Sequence, residues 1–234
     1  MKNLEKIIDK IEKNIDDKDR VREIALRLSR DIIIKCRKAI QLIHQNSMKE
    51  SNKLIKNASL KLNELYDFTK NHNELSHAGF VENAAQEFVE ASCLYNIMQG
   101  RDLPDPDKLK VTYSSYLQGL CDVVGELRRK SLDSILNGKS DIANKYLKLM
   151  EEIYDAIIRF DYPSALIPIK RKQDIVRGII EKTRGELAVA SCERRIEYRT
   201  DEFRGFLDKI NNDDNDTKEK KKKIQNDLNI DRVW

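Results

Sequence analysis

The sequence predicts an all-α protein, a single-domain antiparallel bundle of about seven long helices. Two observations lead to this prediction. Apolar residues recur every three or four positions through most of the 234 residues, and no stretch shows the alternation of a strand bounded by turns. Helix breakers are scarce, with 8 glycines and 4 prolines, while 36% of the residues are charged. That composition suits long helices with one solvated face.

The net charge and the cysteine spacing limit which functional classes and which cellular compartments suit this sequence. The net charge of +4 is mild, so nucleic-acid binding would depend on local basic patches. The four cysteines are widely spaced without a C-x-x-C motif, which predicts reduced, buried thiols of a cytoplasmic protein rather than zinc ligands. The charged start from Lys2 and the lack of a long apolar run predict neither a signal peptide nor a membrane segment.

The first predicted helices are basic. Residues 1–19 form either a short helix or the start of a longer one, and a clear apolar repeat runs from residue 21 to 45. Basic residues decorate the second stretch: Arg22, Arg27, Arg30, Lys35, Arg37 and Lys38. They form either a solvated face or a face that contacts phosphates.

The remaining predicted helices span residues 50–70, 80–98, 114–136, 141–160 and 169–210. Gly100 and Asn137-Gly138 supply helix C-terminal signals, and Ser114 or Ser115 is the expected N-cap of the helix that follows the proline-rich connector. The predicted domain covers residues 1–210, and residues 211–234 are predicted to form a polar, Lys-rich and partly disordered tail.

Two pairs of acids stand out within apolar helical segments. Glu87 and Glu90 are three residues apart, and Asp122 and Glu126 are four apart, so each pair lies on one helical face. Carboxylates with apolar neighbours are costly to bury unless a cation lies between them. Gly119 lies in the second segment, where a glycine favours close helix approach or access for a ligand, and Gly125 is a second such glycine.

The acids allow two interpretations. They are either surface carboxylates paired with nearby basic residues such as Arg128, Arg129 or Lys130, or ligands of a hard cation. Mg²⁺ and Mn²⁺ prefer oxygen ligands, and two such ions can activate water against a phosphodiester. Glu74 and His77 form one E-x-x-H, but the second copy that a di-iron site needs is absent.

Several short motifs, in order and at suitable spacing, resemble the translin family. They are Leu28-Ser29-Arg30-Asp31-Ile32, Ile40-Gln41-Leu42-Ile43-His44, Gln86-Glu87-Phe88-Val89-Glu90-Ala91, Tyr116-Leu117-Gln118-Gly119-Leu120, Asp122-Val123-Val124-Gly125-Glu126-Leu127-Arg128-Arg129, Asn137-Gly138 and the helix 172–187. The resemblance covers about residues 20–200.

The resemblance implies a seven-helix bundle that assembles into a hollow homo-oligomer, an octamer in this family, with RNA inside. Translin itself lacks the acids, whereas the translin-associated factor X branch carries a carboxylate cluster for metal-dependent endoribonuclease activity. Because Glu87, Glu90, Asp122 and Glu126 stand at the matching positions, the resemblance implies the catalytic branch, with these four residues as catalytic ligands of Mg²⁺ or Mn²⁺.

Nucleic-acid contacts are predicted at Arg129, Arg30, Arg37 and Lys38, with a salt bridge as the alternative for Arg129. RNA is the first predicted partner and DNA, single-stranded or bound sequence-specifically, is the second. Two rival classes stay open. One is a non-catalytic nucleic-acid-binding shell with structural acids, and the other is a helical interaction protein that binds no nucleic acid.

Overall fold

The computed structural model describes the backbone of residues 3–229 and the side chains of residues 3–207. Six helices of 18 residues or more and two single turns make up this part of the chain, and it contains no strand. The helices are α1 (Leu4–His44), α2 (Met48–Thr69), α3 (Asn73–Ser76), α4 (Gly79–Met98), α5 (Pro106–Leu109), α6 (Tyr113–Leu136), α7 (Ser140–Ile157) and α8 (Lys170–Asn229). The predicted all-α, translin-like fold is confirmed.

Helix α4 lies at the centre of the packing. It contacts α1, α2 and α6, while α6 also packs on α7. Its buried residues occur on every side of the helix, and Phe88, Val89 and Leu94 are almost fully inaccessible. Any acid on α4 therefore projects from a helix that is largely enclosed, which is the setting predicted for the first acid pair.

Helix ends follow local chemistry. Thr112 caps α6 by accepting a hydrogen bond from the Ser115 amide at 3.1 Å, so the predicted cap at Ser114 or Ser115 is wrong by two to three residues. The error has a physical reason, since Ser115 turns its hydroxyl to Glu82 instead. Gly100 and Gly138 end α4 and α6 with φ of 64° and 71°, as predicted.

Two helices are longer than the apolar pattern indicated. α1 is unbroken from residue 4 because no glycine or proline interrupts residues 1–44, so residues 1–19 begin a longer helix. α8 continues to Asn229, beyond the end predicted near Ile210, and again no glycine or proline lies between. Side chains from residue 208 onward lie outside the described part, and the tail at 211–234 stays a prediction.

The chain divides into two compact units, Met1–Arg184 and Gly185–Trp234. The first unit contains the helices that carry the acids, and the second contains the later part of α8. Within residues 3–229, none of the helices combines the length and the apolar character that crossing a membrane requires.

Candidate active site: an acidic cleft between α4 and α6

Gly119 sets the distance between the two acid-bearing helices. A Cβ at this position would lie 2.7 Å from the Gln86 carbonyl oxygen and 2.7 Å from the Val89 Cβ. Only glycine fits without movement of the α4 backbone. The predicted close approach of helices is confirmed, and it brings Glu87 on α4 near Asp122 on α6.

Gly125 has the opposite surroundings. A Cβ there would meet no atom within 4 Å, because the residue borders a cleft of about 400 Å³. Glu87, Glu90 and Asp122 line this cleft, together with residues from the start of α8. The two glycines thus serve the two purposes considered for them, one for helix contact and one for open space.

Glu87 is bound by Arg37 of α1. The Arg37 Nη2 donates to Glu87 Oε1 at 2.6 Å, and Nε lies 3.1 and 3.3 Å from the two carboxylate oxygens. The Glu87 side chain is 20% exposed, whereas that of Arg37 is 70% exposed. Arg37, predicted to contact phosphate, therefore contacts an acid in this structure from a position open to solvent.

Asp122 is bound by Lys172, the third residue of α8. The Lys172 Nζ lies 2.6 Å from Asp122 Oδ2 and also donates to the Gln118 carbonyl oxygen at 3.1 Å. Burial raises the pKa of Asp122, and the Lys172 ammonium opposes that rise. Sequence reasoning missed Lys172 because fifty residues separate the partners and no spacing rule connects them.

Glu126 is bound by His44, the last residue of α1. The His44 Nε2 is hydrogen-bonded to Glu126 Oε2, and the imidazole is only 6% exposed. The other ring nitrogen, Nδ1, is buried without a hydrogen-bond partner. A carboxylate can only accept, so the His44 Nε2–H donates this hydrogen bond. The sequence places His44 in a family motif, but no spacing rule connects it with Glu126.

Glu90 forms no direct ion pair with the side chains that the structure describes. Within the described residues its carboxyl group takes part in no hydrogen bond or ion pair, although it lies in the same cleft. Burial, together with the charges of Asp122, Glu87 and Glu126, raises its pKa to about 8, and the Lys172 ammonium opposes that rise. The four predicted acids are thus close enough to interact electrostatically.

These side chains do not form a ready-made metal site. Among the residues with described side chains, no three acid, histidine or cysteine groups stand ready to coordinate one ion. Three of the four carboxylates instead hold Arg37, Lys172 and His44. The donor set is all carboxylate oxygen, and three of its four members (Glu87, Glu90 and Asp122) line an open cleft, which fits a hard divalent cation that retains water. The quartet as ligands stays a prediction.

The other predicted nucleic-acid contacts are free at the surface. Arg30, Lys38 and Arg129 are exposed and form no ion pair among the described residues. The alternative considered for Arg129, a salt bridge, is therefore not observed in this part of the chain. Its neighbour Lys130 donates instead to the carbonyl oxygens of Ile43 and His44.

The Translin family model matches residues 17–184. This chain belongs to the Translin family. An uncharacterised protein of Methanocaldococcus jannaschii is 38% identical over 176 residues, which are 73% of this chain and 77% of that protein. The match at residues 17–184 agrees with the resemblance noted from the motifs, and it ends at the boundary of the first compact unit.

Solved structures show the same fold. The crystal structure of AfC3PO is 30% identical, covers 80% of this chain and 98% of its own, and superposes with a TM-score of 0.73. A structure of AfC3PO in complex with duplex RNA gives a TM-score of 0.69 at 30% identity, covering 80% and 97% of the two chains. Apo-NeC3PO, at 21% identity and a TM-score of 0.68, shows the fold alone.

Proposed function

We propose that this Translin family protein is a metal-dependent endoribonuclease of the translin-associated factor X type. One observation carries the proposal: Glu90 lines a cleft with Glu87 and Asp122, lies near enough to Glu126 for their charges to interact, and forms no hydrogen bond or ion pair among the described residues. A buried carboxyl group at that position raises the free energy of the folded protein unless a cation joins it. A structural role alone gives no reason to retain such a group.

Glu87, Glu90, Asp122 and Glu126 would hold one or two Mg²⁺ or Mn²⁺ ions. Bound there, the metal supplies water activation and neutralises charge on the scissile phosphate. Arg37 is mostly exposed and can release Glu87 by rotating into solvent. Lys172 lines the same cleft and, once it leaves Asp122, can donate to a phosphate oxygen.

RNA is the proposed substrate. The support is the AfC3PO complex with duplex RNA, together with the exposed basic residues Arg30, Lys38 and Arg129 of this chain. Contacts to phosphates bind many sequences and weaken with salt. We further propose self-association into a homo-oligomeric shell, an octamer by the family resemblance, in which the cleft faces bound RNA. A cytoplasmic location remains a prediction.

A second candidate is a non-catalytic oligomer that binds RNA or single-stranded DNA, in which the acids are structural. The ion pairs favour it, because Arg37 and Lys172 already neutralise Glu87 and Asp122. In that case the acids fasten α1 and α8 to the α4–α6 pair. The two candidates differ in whether a divalent cation binds and whether the RNA chain is cut.

An RNA-cleavage assay separates them. Labelled RNA is incubated with the full chain in Mn²⁺ or EDTA, and Mn²⁺ binding is measured by calorimetry. The test variant is Glu90→Gln. The matched control is Glu151→Gln, which removes an ion pair to Arg184 outside the cleft. We expect Mn²⁺-dependent cutting that Glu90→Gln abolishes and Glu151→Gln leaves intact.

The other outcomes are also decisive. Cutting by Glu90→Gln at the wild-type rate contradicts the site, and cutting in EDTA contradicts the metal. RNA retention without Mn²⁺ binding or cutting by the wild-type chain establishes the non-catalytic candidate.

A further inference from the structure

The segment of α8 from Val189 to Phe206 lies beyond the residues that the family model matches and is open to solvent. Every residue from 192 to 207 is exposed. Large apolar side chains are among them, with Ile196 66%, Phe203 64% and Phe206 59% accessible. An isolated helix is only marginally stable in water, and exposed aromatic side chains of this size indicate an interaction surface.

These apolar residues follow a heptad repeat. Val189, Ile196 and Phe203 recur every seven residues, and Cys192, Arg199 and Phe206 form a second series three residues later. The first series occupies heptad position a and the second occupies heptad position d. Residues at these two positions form the seam of a coiled coil. Cys192, Ile196, Arg199 and Phe203 line one open groove along the helix.

The sequence of the seam distinguishes the two possible orientations of a second copy. In a parallel pair each seam residue faces its own copy, so the two Arg199 guanidinium groups would oppose each other in the core. In an antiparallel pair centred between residues 197 and 198, each residue at heptad position a of one copy faces a residue at position d of the other copy. The layers are then Val189 with Phe206, Cys192 with Phe203, and Ile196 with Arg199.

The flanking charges favour the same orientation. At the antiparallel alignment Arg195 of one copy faces Glu202 of the other, and this contact occurs twice by symmetry. In the parallel alignment Arg195 faces Thr200 and Glu202 faces Leu207, so neither charge has a partner. Arg199 opposite Ile196 can lay its aliphatic stem along the seam while its charged end reaches water.

We propose that residues 189–206 of α8 bind the same segment of a second copy of this chain as an antiparallel coiled coil. The contact is additional to any assembly of the family domain, since it uses only residues after 184. Its recognition chemistry is an apolar seam with one arginine layer, bordered by two symmetric Arg195–Glu202 pairs.

Cysteine cross-linking tests the contact and its orientation in the full chain. Cys192 is exposed, whereas Cys36, Cys93 and Cys121 are buried. In the antiparallel pair the two Cys192 residues lie about 16 Å apart along the axis, too far for a disulfide. Phe203→Cys places a thiol opposite Cys192 of the other copy.

We expect the wild-type chain to stay monomeric on a non-reducing denaturing gel after mild oxidation, while Phe203→Cys forms a covalent dimer that dithiothreitol releases. Tyr198→Cys is the matched control, because Tyr198 is 71% exposed but lies on the outer face of the heptad. A covalent dimer of the wild-type chain through Cys192 would establish the parallel orientation. Equal cross-linking of Tyr198→Cys and Phe203→Cys, or none, would overturn the contact.

A charge exchange tests the flanking pairs in the Phe203→Cys background. Arg195→Glu places two like-charge contacts in the dimer and is expected to lower the cross-linked fraction roughly fivefold at low salt. Adding Glu202→Arg restores opposite charges and should restore the fraction. Failure of the double variant to recover would contradict the Arg195–Glu202 pairing.

Discussion

The His44 imidazole at the end of α1 is hydrogen-bonded to the Glu126 carboxylate on α6. One Glu126 oxygen is thereby fixed and the other is left for a further partner. Hydrogen bonds that orient a ligating carboxylate typically change metal affinity by roughly 10- to 100-fold. His44 thus acts as a positioning residue in the proposed site.

His44→Ala should therefore weaken Mn²⁺ binding by roughly tenfold or more. His44→Gln keeps an N–H donor near Glu126 and should lose much less. Calorimetric titration of both variants with Mn²⁺ makes the comparison, with the unfolding transition as a check on folding. Equal affinity in wild type and His44→Ala would exclude the positioning role.

The raised pKa of Glu90 predicts that the stability of the metal-free protein in EDTA depends on pH. Its pKa in the folded protein is raised to about 8, while the unfolded chain has the ordinary lower value. The unfolded chain therefore ionises first as the pH rises, and the free energy of unfolding falls between about pH 4.5 and pH 8.

Glu90→Gln removes this decline, so the variant should be more stable than wild type at pH 8.5 and closest to it near pH 4.5. Urea unfolding at a series of pH values measures the difference. A parallel decline in both proteins would contradict the assigned cause.

The two glycines of α6 predict opposite responses to alanine. Gly119→Ala drives a methyl group into the Gln86 carbonyl and Val89, so the melting temperature should fall. Gly125→Ala meets no atom within 4 Å and should gain about 1 kcal/mol from helix propensity. Calorimetric melting of the two variants tests the close approach, and a stable Gly119→Ala protein would show that α4 and α6 can separate.

Lys172→Met tests competition for Asp122. Without the ammonium group, the carboxylate loses a partner at 2.6 Å and the protein should be less stable in EDTA. Mn²⁺ should then raise the melting temperature more in the variant than in wild type, because no side-chain cation competes. Lys170→Met is the matched control, since Lys170 pairs with exposed Asp161 instead. Equal shifts in all three proteins would contradict a metal near Asp122.

Arg129→Ala should weaken RNA binding uniformly across sequences and lower the slope of log affinity against log salt by about one. Fluorescence anisotropy at several salt concentrations measures it. Arg159→Ala removes the same charge from an exposed position outside the predicted contacts and provides the control. An unchanged slope for Arg129→Ala would remove this residue from the RNA interface.

The helices were predictable because their cause is local. Apolar periodicity located α2, α4, α6 and α7 within a few residues, and Gly100 and Gly138 marked two helix ends. The prediction of the α6 N-cap was wrong because the choice between neighbouring residues depended on a tertiary contact. Ser115 was a reasonable cap by residue type, but its hydroxyl is taken by Glu82, thirty-three residues earlier.

Of the residues at the acidic cleft, the sequence predicted the acids but not their basic partners. Spacing on α4 and α6 identified the four acids, because residues three or four apart share a helical face. It could not identify the bases that bind them. Arg37, His44 and Lys172 come from α1 and α8, and their distance in sequence from the acids leaves no periodic signal. Only the fold brings the end of α1 and the start of α8 beside these acids.

One uninterrupted helix, α1, supplies both Arg37 and His44, and these residues lie two turns apart on the same face. α1 therefore contacts acids of two different helices, Glu87 on α4 and Glu126 on α6. An occupant of the cleft that takes Glu87 from Arg37 removes one of these two side-chain contacts and leaves the His44–Glu126 contact in place. The freed Arg37 then joins Arg30 and Lys38 as an exposed basic side chain of α1 without an acidic partner among the described residues.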